Sequence, residues 1–518
     1  MTTVEERDYS IVAVDKFIQA TRDSGYKGTG SAVAELVDNS LQAGATDIKI
    51  SIFASDEDGK YPITLAVIDN GCGMDQPTLR TALRFGGSTR FDSRQGLGRY
   101  GMGLPNSSFS QAQRVTVHTW RSRKGPTLFS YLDLNEIAAG ELTVVPSPVR
   151  VSKPTFVNGY DSGTAVTWSR CDRLDSRRIS TLTRKLLMSL GRRFRYFLWD
   201  GVAITVNGDR VLPIDPLFRH PQALFNGATE HVSFEREIAV TPGDPSATGI
   251  VRVTFSELPV AEWSRLSNQE KRERGIAKGA GVSIVRGRRE VDYGWLFLGG
   301  KRRENYDDWW RCEIQFDPVL DEAFGITHTK QQIRPRPHLT EALADDMEST
   351  ARALNNRARK AHFSVKIAER FSASEDLATK KDALLLPLPA KPRPRDKHIL
   401  EALKKELTRP TTTNQEQDEG IQYRIVPKAL SDTSFFNYAR AGGGLVLVLN
   451  PEHPFYKLVY KPLLESEDQR DVSWRTSIDL LLLAAARAAA LIEENDALKV
   501  VEKLRADWSD TLATFLNG

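Results

Sequence analysis

The 518-residue sequence predicts an α+β fold in three units. Its length corresponds to about three domains at roughly 150 residues each. The composition, 40% hydrophobic and 27% charged, is typical of a globular protein. Apolar residues recur at helical spacing in some segments and alternate as in strands in others. We place the units at 1–204, 205–368 and 421–518, with a proline-rich and polar linker at 369–420.

Charge and cysteine content argue against several classes of protein. The net charge of +4 is small for this length, so no global field requires a nucleic-acid partner. Cys72, Cys171 and Cys312 are widely spaced and odd in number, which argues against a disulfide framework and against a zinc site. The N-terminal residues lack the apolar core of a signal peptide, and the apolar run 480–492 is too short to span a bilayer. We therefore expect a cytoplasmic protein that does not bind membranes.

The first motif is the run ELVDN at 35–39, which lies in a helical pattern of apolar residues. Gly44 stands where the C-cap of that helix is expected. Glu35 and Asn39 are four residues apart, so they share one helix face and can reach one site. Such a pair alone is usually a solvated helix face. Together with the motifs that follow, it supplies a glutamate for water and an amide oxygen for Mg²⁺.

The second and third motifs are rich in glycine. The run DNGCGM at 69–74 follows an apolar strand, and Gly71 and Gly73 permit close backbone approach or a positive φ. Asp69 supplies a carboxylate that can accept a hydrogen bond from an adenine amine. The run GLGRYGMG at 96–103 precedes a helical pattern and offers backbone N–H groups to phosphate. Each run alone is more often a turn or loop, but the order and spacing of all three motifs indicate ATP hydrolysis.

Together these motifs resemble those of the GHKL (Bergerat-fold) ATPases, and within that group the microrchidia (MORC) and MutL branch and its bacterial relatives. The resemblance implies a Bergerat-type α/β sandwich, then a transducer-like (S5-like) α/β domain and a small α/β C-terminal domain. It makes Glu35 the general base, Asn39 the Mg²⁺ ligand and Asp69 the partner of the adenine amine. The other residues that it assigns to the nucleotide are Asp38, Gly71, Gly73, Met74, Gly98, Gly101, Gly103 and Thr164.

The resemblance also assigns roles within this set. Asp38 corresponds to an acid near the adenine-bound water, and Thr164 to a threonine that binds the adenine through water. Gly98, Gly101 and Gly103 belong to the lid and the phosphate loop. Read without the resemblance, Thr164 is a β-branched residue that opens a strand.

Two segments of the second unit carry further resemblance. The strand and turn at 281–289 are similar to part of the transducer domain that follows the ATPase domain in these families. The run GITHTKQQ at 325–332 is similar to the transducer loop whose lysine reaches the γ-phosphate. Lys330 is therefore expected to act in catalysis and to distinguish ATP from ADP. A lysine in a loop is otherwise usually solvated.

Basic residues cluster at 271–303, which makes this region the best candidate for contact with a DNA backbone. The alternative is a mixed, solvated surface in which neighbouring glutamates pair with these cations. In the third unit, the apolar helix at 477–492 has no polar face for much of its length. It packs within the unit or against a dimer partner.

The expected function is Mg²⁺-dependent ATP hydrolysis by an ATP-gated homodimeric clamp that acts on DNA. The resemblance alone suggests a role in anti-phage defence or DNA maintenance, with partner proteins of a multi-gene system. One alternative is a chaperone-like ATPase that acts on protein clients. A sensor histidine kinase is disfavoured, because none of the 8 histidines precedes the ATPase motifs.

Overall fold

The computed structural model describes residues 14–26, 28–55, 61–87, 103–157, 159–326, 332–389, 391–403, 407 and 423–517. Helices and mostly antiparallel sheets are both present, which confirms the predicted α+β class. The chain divides into two compact units. The first comprises Met1–Pro259 with Leu266–Asn356, and the second comprises Val260–Arg265 with Arg357–Gly518.

The first sheet has the strand order β5-β4-β3-β6-β2-β1-β7-β8. Its strands are β1 Asp47–Ala54, β2 Ile63–Asp69, β3 Ala112–Trp120, β4 Thr127–Asp133, β5 Val149–Val151, β6 Gly163–Cys171, β7 Ala203–Val206 and β8 Asp209–Arg210. The helices of this part of the chain are α1 Val14–Ser24, α2 Thr29–Gln42, α3 Gln76–Leu83, α4 Gly103–Phe109, α5 Leu134–Ala138, α6 Ile179–Arg193 and α7 Arg195–Trp199. Strand β2 is buried along its whole length, as expected of an apolar run inside a sheet.

Helix α2 is held at both ends and along one side. Its buried apolar residues belong to the core that also contains Ile48, Ile50 and Ile52 of β1 and Ile63, Leu65 and Val67 of β2. At its N-terminus, the Thr29 N–H donates to Asp175 Oδ2 at 3.0 Å, which satisfies one of the amides that a helix start leaves open. After its last residue, Gly44 adopts a φ of +76°, a conformation that favours glycine and ends the helix.

The second sheet also lies in the first unit and has the order β12-β11-β13-β10-β9. Its strands are β9 Thr229–Thr241, β10 Asp244–Glu257, β11 Val282–Arg286, β12 Arg289–Gly294 and β13 Trp310–Phe316. Short helices of this region are α9 Asn268–Glu273 and α10 Asp321–Phe324, whereas α8 Val260–Trp263 belongs to the second unit. The first turns of the long helix α11 (Pro337–Asp382) bury Leu339, Leu343 and Met347 in the core of this sheet. This spacing of three and four residues is that of an amphipathic helix.

The second unit contains a small sheet of order β14-β16-β15. Its elements after α11 are α12 Pro394–Ala402, β14 Tyr423–Pro427, β15 Phe436–Ala441, β16 Gly444–Leu449, α13 Lys461–Glu465, α14 Gln469–Ala490 and α15 Asn495–Leu516. Asp479 of α14 is fully buried and accepts a hydrogen bond from Ser374 Oγ at 2.6 Å. Burial raises the pKa of Asp479 to about 6. Among the described helices, none is both long and apolar enough to cross a membrane.

Two predicted boundaries need correction. The first sheet continues past residue 204, because β7 pairs with β1 and β8 pairs with β7. The predicted linker at 369–420 is wrong for 369–382, which belong to α11, and for 394–402, which form α12. Helix α11 continues because Phe371 is buried in the core of the second unit. Pro394 stands at the start of α12, where a missing N–H costs no hydrogen bond.

Candidate active site

Helix α2 places Glu35 and Asn39 on one face, as predicted from their spacing. Glu35 is 4% exposed and Asn39 is partly exposed. Burial raises the pKa of Tyr26 well above its ordinary value, and the negative charge of Glu35 adds to that rise. Gly103, the first residue of α4, lies so close that a Cβ there would overlap Glu35 Oε1. The first motif and the end of the third motif therefore meet at the Glu35 carboxylate, which a side chain at 103 would displace.

Asp69, at the end of β2, is 6% exposed and receives hydrogen bonds on both carboxylate oxygens. Ser40 Oγ donates to Oδ2 at 2.9 Å, while the N–H groups of Gly71 and Thr164 donate to Oδ1 at 2.9 and 3.3 Å. Burial raises the pKa of Asp69, and these three donors partly oppose that rise. A carboxylate has about four acceptor positions, so Asp69 can accept one more donor. Helix α2 therefore carries Glu35 and Asn39 and also contacts Asp69 through Ser40.

A row of residues across three strands completes the surroundings of Asp69. Thr164 of β6 lies opposite Asp69 of β2 and opposite Thr119 of β3. The hydroxyl oxygens of Thr119 and Thr164 are 3.2 Å apart, and the Met74 N–H donates to Thr119 Oγ1 at 2.8 Å. Gly73 has a φ of +68°, and a Cβ there would overlap the carbonyl oxygen of Trp120. The sheet register therefore brings the second motif beside β3 and β6.

Residues 26–164, which contain these elements, match the family model described as histidine kinase-, DNA gyrase B- and HSP90-like ATPase. This part of the chain is a GHKL ATPase domain. This match confirms, for this domain, the resemblance to GHKL ATPases that the three motifs indicate.

Relatives with similar sequences align with a segment of 119 residues. Over this segment the chain is 33% identical to the ATPase MORC2B of Mus musculus. The segment covers 23% of this chain and 11% of the relative. It is 36% identical to the protein MICRORCHIDIA 5 of Arabidopsis thaliana over 22% of this chain and 16% of that protein. The ATPase MORC2 of Homo sapiens is 32% identical over 23% of this chain and 11% of its own length. The alignment thus spans between about a tenth and a sixth of these relatives.

A solved structure of the N-terminal domain of a DNA repair protein also aligns with this chain. It covers 66% of this chain and 98% of its own, with a TM-score of 0.43 and 18% sequence identity. Similarity at this level says nothing about function.

Helix α2 also carries Asp38, which contacts the second sheet. It is fully buried, and its Oδ2 lies 2.9 Å from Nε of Arg289, which is 2% exposed. Arg289 is the first residue of β12, in the second sheet. The role of Asp38 near the adenine-bound water stays a prediction. Gly98, Gly101 and Lys330 lie outside the described residues.

The donor set of the GHKL domain fits Mg²⁺ bound together with a nucleotide. Mg²⁺ commonly keeps several waters and takes few protein ligands beside substrate phosphates. The partly exposed Asn39 amide provides one oxygen of the type that Mg²⁺ accepts. The described residues contain no group of three or more His, Cys, Asp or Glu side chains that could hold a metal by themselves. A metal here would therefore depend on the phosphates.

Three residues of the site were not predicted from the sequence: Tyr26, Ser40 and Thr119. Ser40 could have been found from its position beside Asn39 on α2. Thr119 lies in a strand without a motif, so only the pairing of β3 with β6 reveals it. Tyr26 lies between α1 and α2, where no local pattern points to Glu35.

Buried ion pairs join the GHKL domain to the second sheet. Arg195 of α7 is fully buried and pairs with Glu290 at 3.3 Å and with Glu313. Arg192 Nε lies 2.7 Å from Glu290. Burial alone would raise the pKa of Glu290, but Arg192 and Arg195 hold it below its ordinary value. Glu290 therefore remains ionised and paired, which ties α6 and α7 to β12.

The predicted DNA-binding region at 271–303 is only partly available to a ligand. Arg286 pairs with Asp321 at 2.6 Å and Lys301 with Asp307 at 2.6 Å, in both cases with the cation buried. Arg289 is buried against Asp38, and Arg288 pairs with Asp200. Besides Arg288, the exposed basic residues of this region are Arg272, Lys278, Arg302 and Arg303. The prediction is corrected for the paired residues, whose cations already have acidic partners.

Proposed function

We propose that the GHKL domain binds ATP with Mg²⁺ and hydrolyses it, with Glu35 as the general base. The observation that carries this proposal is the position of α2. This helix carries the buried carboxylate of Glu35 and contacts the buried carboxylate of Asp69, which has different surroundings. Glu35 lies against Gly103 at one side of the helix, and Asp69 accepts a hydrogen bond from Ser40 at the other. One carboxylate suits a proton transfer, and the other suits recognition of a base.

In this mechanism each residue has one task. Asp69 accepts a hydrogen bond from the adenine amine, and its three protein donors hold the carboxylate in place. Glu35 accepts a proton from the water that attacks the γ-phosphate. Asn39 would hold Mg²⁺, which when bound neutralises charge on the phosphates. Gly98, Gly101, Gly103 and Lys330 are proposed to contact the phosphates.

Replacement of Asp69 by asparagine tests the proposed base recognition. We expect ATP to bind about 10- to 100-fold more weakly, because a hydrogen bond to a charged acceptor contributes about 1.5–3 kcal/mol. Isothermal titration calorimetry measures the Kd, and circular dichroism verifies folding. Asp161→Asn, a matched control at a carboxylate that is 83% exposed, should leave the Kd unchanged. Equal affinity of Asp69→Asn and the unchanged protein would show that Asp69 does not bind the base.

We also propose that the protein is an ATP-gated homodimeric clamp on DNA, located in the cytoplasm. Support comes from the similarity to MORC ATPases and from the exposed cations Arg272, Lys278 and Arg302. A role with partner proteins in anti-phage defence or DNA maintenance would fit such a clamp. A chaperone-like ATPase is the second candidate, because the matching family model also covers HSP90-like ATPases.

The ATPase rate with added ligands separates these two candidates. For the clamp, we expect duplex DNA to stimulate the rate and the stimulation to fall steeply between 50 and 200 mM salt, because roughly one counterion is released for each phosphate contacted. An unfolded protein client should have no effect. Stimulation by the unfolded client and not by DNA would favour the chaperone. The triple variant Arg272→Ala, Lys278→Ala, Arg302→Ala should lose the DNA effect and keep the basal rate.

A further inference from the structure

A fully buried hydroxyl lies in the row of residues beside Asp69. It belongs to Thr119 of β3, whose Oγ1 makes three polar contacts. The Met74 N–H donates to it at 2.8 Å, the carbonyl oxygen of Gly163 lies 3.1 Å away, and the hydroxyl oxygen of Thr164 lies 3.2 Å away. Thr119 therefore joins the glycine-rich turn of the second motif to the start of β6.

The chemistry of these groups sets the direction of each hydrogen bond. A threonine hydroxyl has one proton to donate and can accept two hydrogen bonds. The Met74 amide can only donate and the Gly163 carbonyl can only accept, so all three contacts are hydrogen bonds in just one arrangement. In it, Thr119 donates its proton to Gly163, and Thr164 donates its own proton to Thr119. This arrangement is favoured because buried polar groups in proteins are nearly always paired.

With its proton used in this way, Thr164 Oγ1 can only accept a hydrogen bond from a further group. Thr164 is 8% exposed and lies opposite Asp69 in the pairing of β6 with β2. Its N–H donates to Asp69 Oδ1 at 3.3 Å, so the two residues are in direct contact. The Asp69 carboxylate is an acceptor as well. These neighbouring side chains therefore both require a donor, such as an amine or a water molecule.

We propose that Thr119 is a specificity-determining residue: it keeps Thr164 an acceptor, so that a 6-amino purine is bound beside Asp69 and a 6-oxo purine is rejected. The inference rests on the proposed recognition of adenine by Asp69. The amine of adenine donates hydrogen bonds, whereas the oxo group of guanine or hypoxanthine accepts them. An oxo group beside two acceptors leaves buried oxygens without a donor, which lowers its affinity. Thr119 is fully buried, so it acts through Thr164.

Thr119→Val tests this role, because valine has nearly the same shape and lacks the hydroxyl. In the variant, the Thr164 hydroxyl is free to turn and donate to an oxo group. We expect the ratio of the Kd for inosine triphosphate to the Kd for ATP, measured by calorimetry, to fall about tenfold, as one hydrogen bond allows. The kcat for ATP hydrolysis should stay within about twofold. Thr119→Ser keeps the hydroxyl and should keep the original ratio.

Thr167→Val is the matched control. Thr167 lies three residues after Thr164 in β6, and its hydroxyl is buried without a hydrogen-bond partner in the described part of the chain. The control should leave the ratio of the two Kd values unchanged. Thr164→Val removes the acceptor itself and should lower the ratio as Thr119→Val does. An unchanged ratio in Thr164→Val would overturn the proposal even where Thr119→Val does not fold.

The remaining outcomes separate this proposal from the proposed function. Equal weakening of both nucleotides by Thr119→Val would indicate a structural role and overturn the proposal. If Asp69→Asn weakens ATP binding while Thr119→Val keeps the original ratio, the role of Thr119 is overturned and the proposed function stands. If Asp69→Asn binds ATP as tightly as the unchanged protein, the proposed recognition of adenine fails and the role of Thr119 fails with it.

Discussion

Glu35→Gln is expected to lower kcat for ATP hydrolysis by about 100- to 10,000-fold, the usual contribution of a general base. Glutamine has the same shape, so the surroundings of α2 should remain in place. Its amide cannot take a proton from water at neutral pH. The affinity for ATP should therefore stay within about threefold of the original, since little of the binding energy comes from this group. Steady-state phosphate release and calorimetric titration with ATP measure the two quantities.

Glu136→Gln provides the control for this experiment. Glu136 accepts a hydrogen bond from Tyr131 in the same domain, but it lies in α5. Its replacement should leave kcat unchanged. If Glu35→Gln abolished ATP binding together with turnover, Glu35 would be a binding residue and its role as general base would be untenable.

The largest effect on stability is expected from Arg289→Leu. This change leaves the Asp38 carboxylate fully buried without the cation that lies 2.9 Å away. Breaking a buried pair by removal of one partner typically costs about 3–5 kcal/mol, because the remaining charge cannot be solvated. Urea denaturation followed by circular dichroism measures the free energy of unfolding. We expect the urea concentration at the midpoint of the first unfolding transition to fall accordingly.

The neighbouring residue supplies a matched control. Arg288 pairs with Asp200 on the surface, with both side chains about half exposed at 53% and 51%. Arg288→Leu should therefore change the free energy of unfolding by no more than about 1 kcal/mol. Arg289→Leu combined with Asp38→Asn should be less destabilising than Arg289→Leu alone, since Asp38→Asn removes the buried negative charge. Equal effects of Arg289→Leu and Arg288→Leu would show that the buried pair contributes little.

Much of the site could be predicted because its signals are local. The spacing of Glu35 and Asn39 on one helix face follows from helical geometry, and Gly44 marks the end of α2. Gly73 stands in a positive-φ turn directly after a buried strand, which its sequence context already indicates. For these residues the neighbours along the chain decide the conformation.

The errors involve partners that are distant in sequence. The contact of Asp38 with Arg289, 251 positions later in the sequence, could not be predicted from the motif that contains Asp38. Burial of Arg286 and Lys301 by acidic partners likewise depends on the fold of the second sheet. Thr119 enters the site through strand pairing alone. Helix α11 extends past 368 because of the buried contacts of Phe371, which no local breaker or cap could have shown.

The row formed by Asp69, Thr164 and Thr119 has a consequence for how the proposed adenine-binding role of Asp69 can be lost. A shift of β6 by a single residue would turn Thr164 to the opposite face and remove its amide from Asp69. The proposed recognition of adenine would then last for as long as β2, β6 and β3 stay paired. It would survive fraying of the chain ends and fail only when the whole sheet opens, in step with hydrogen exchange of its slowest amides.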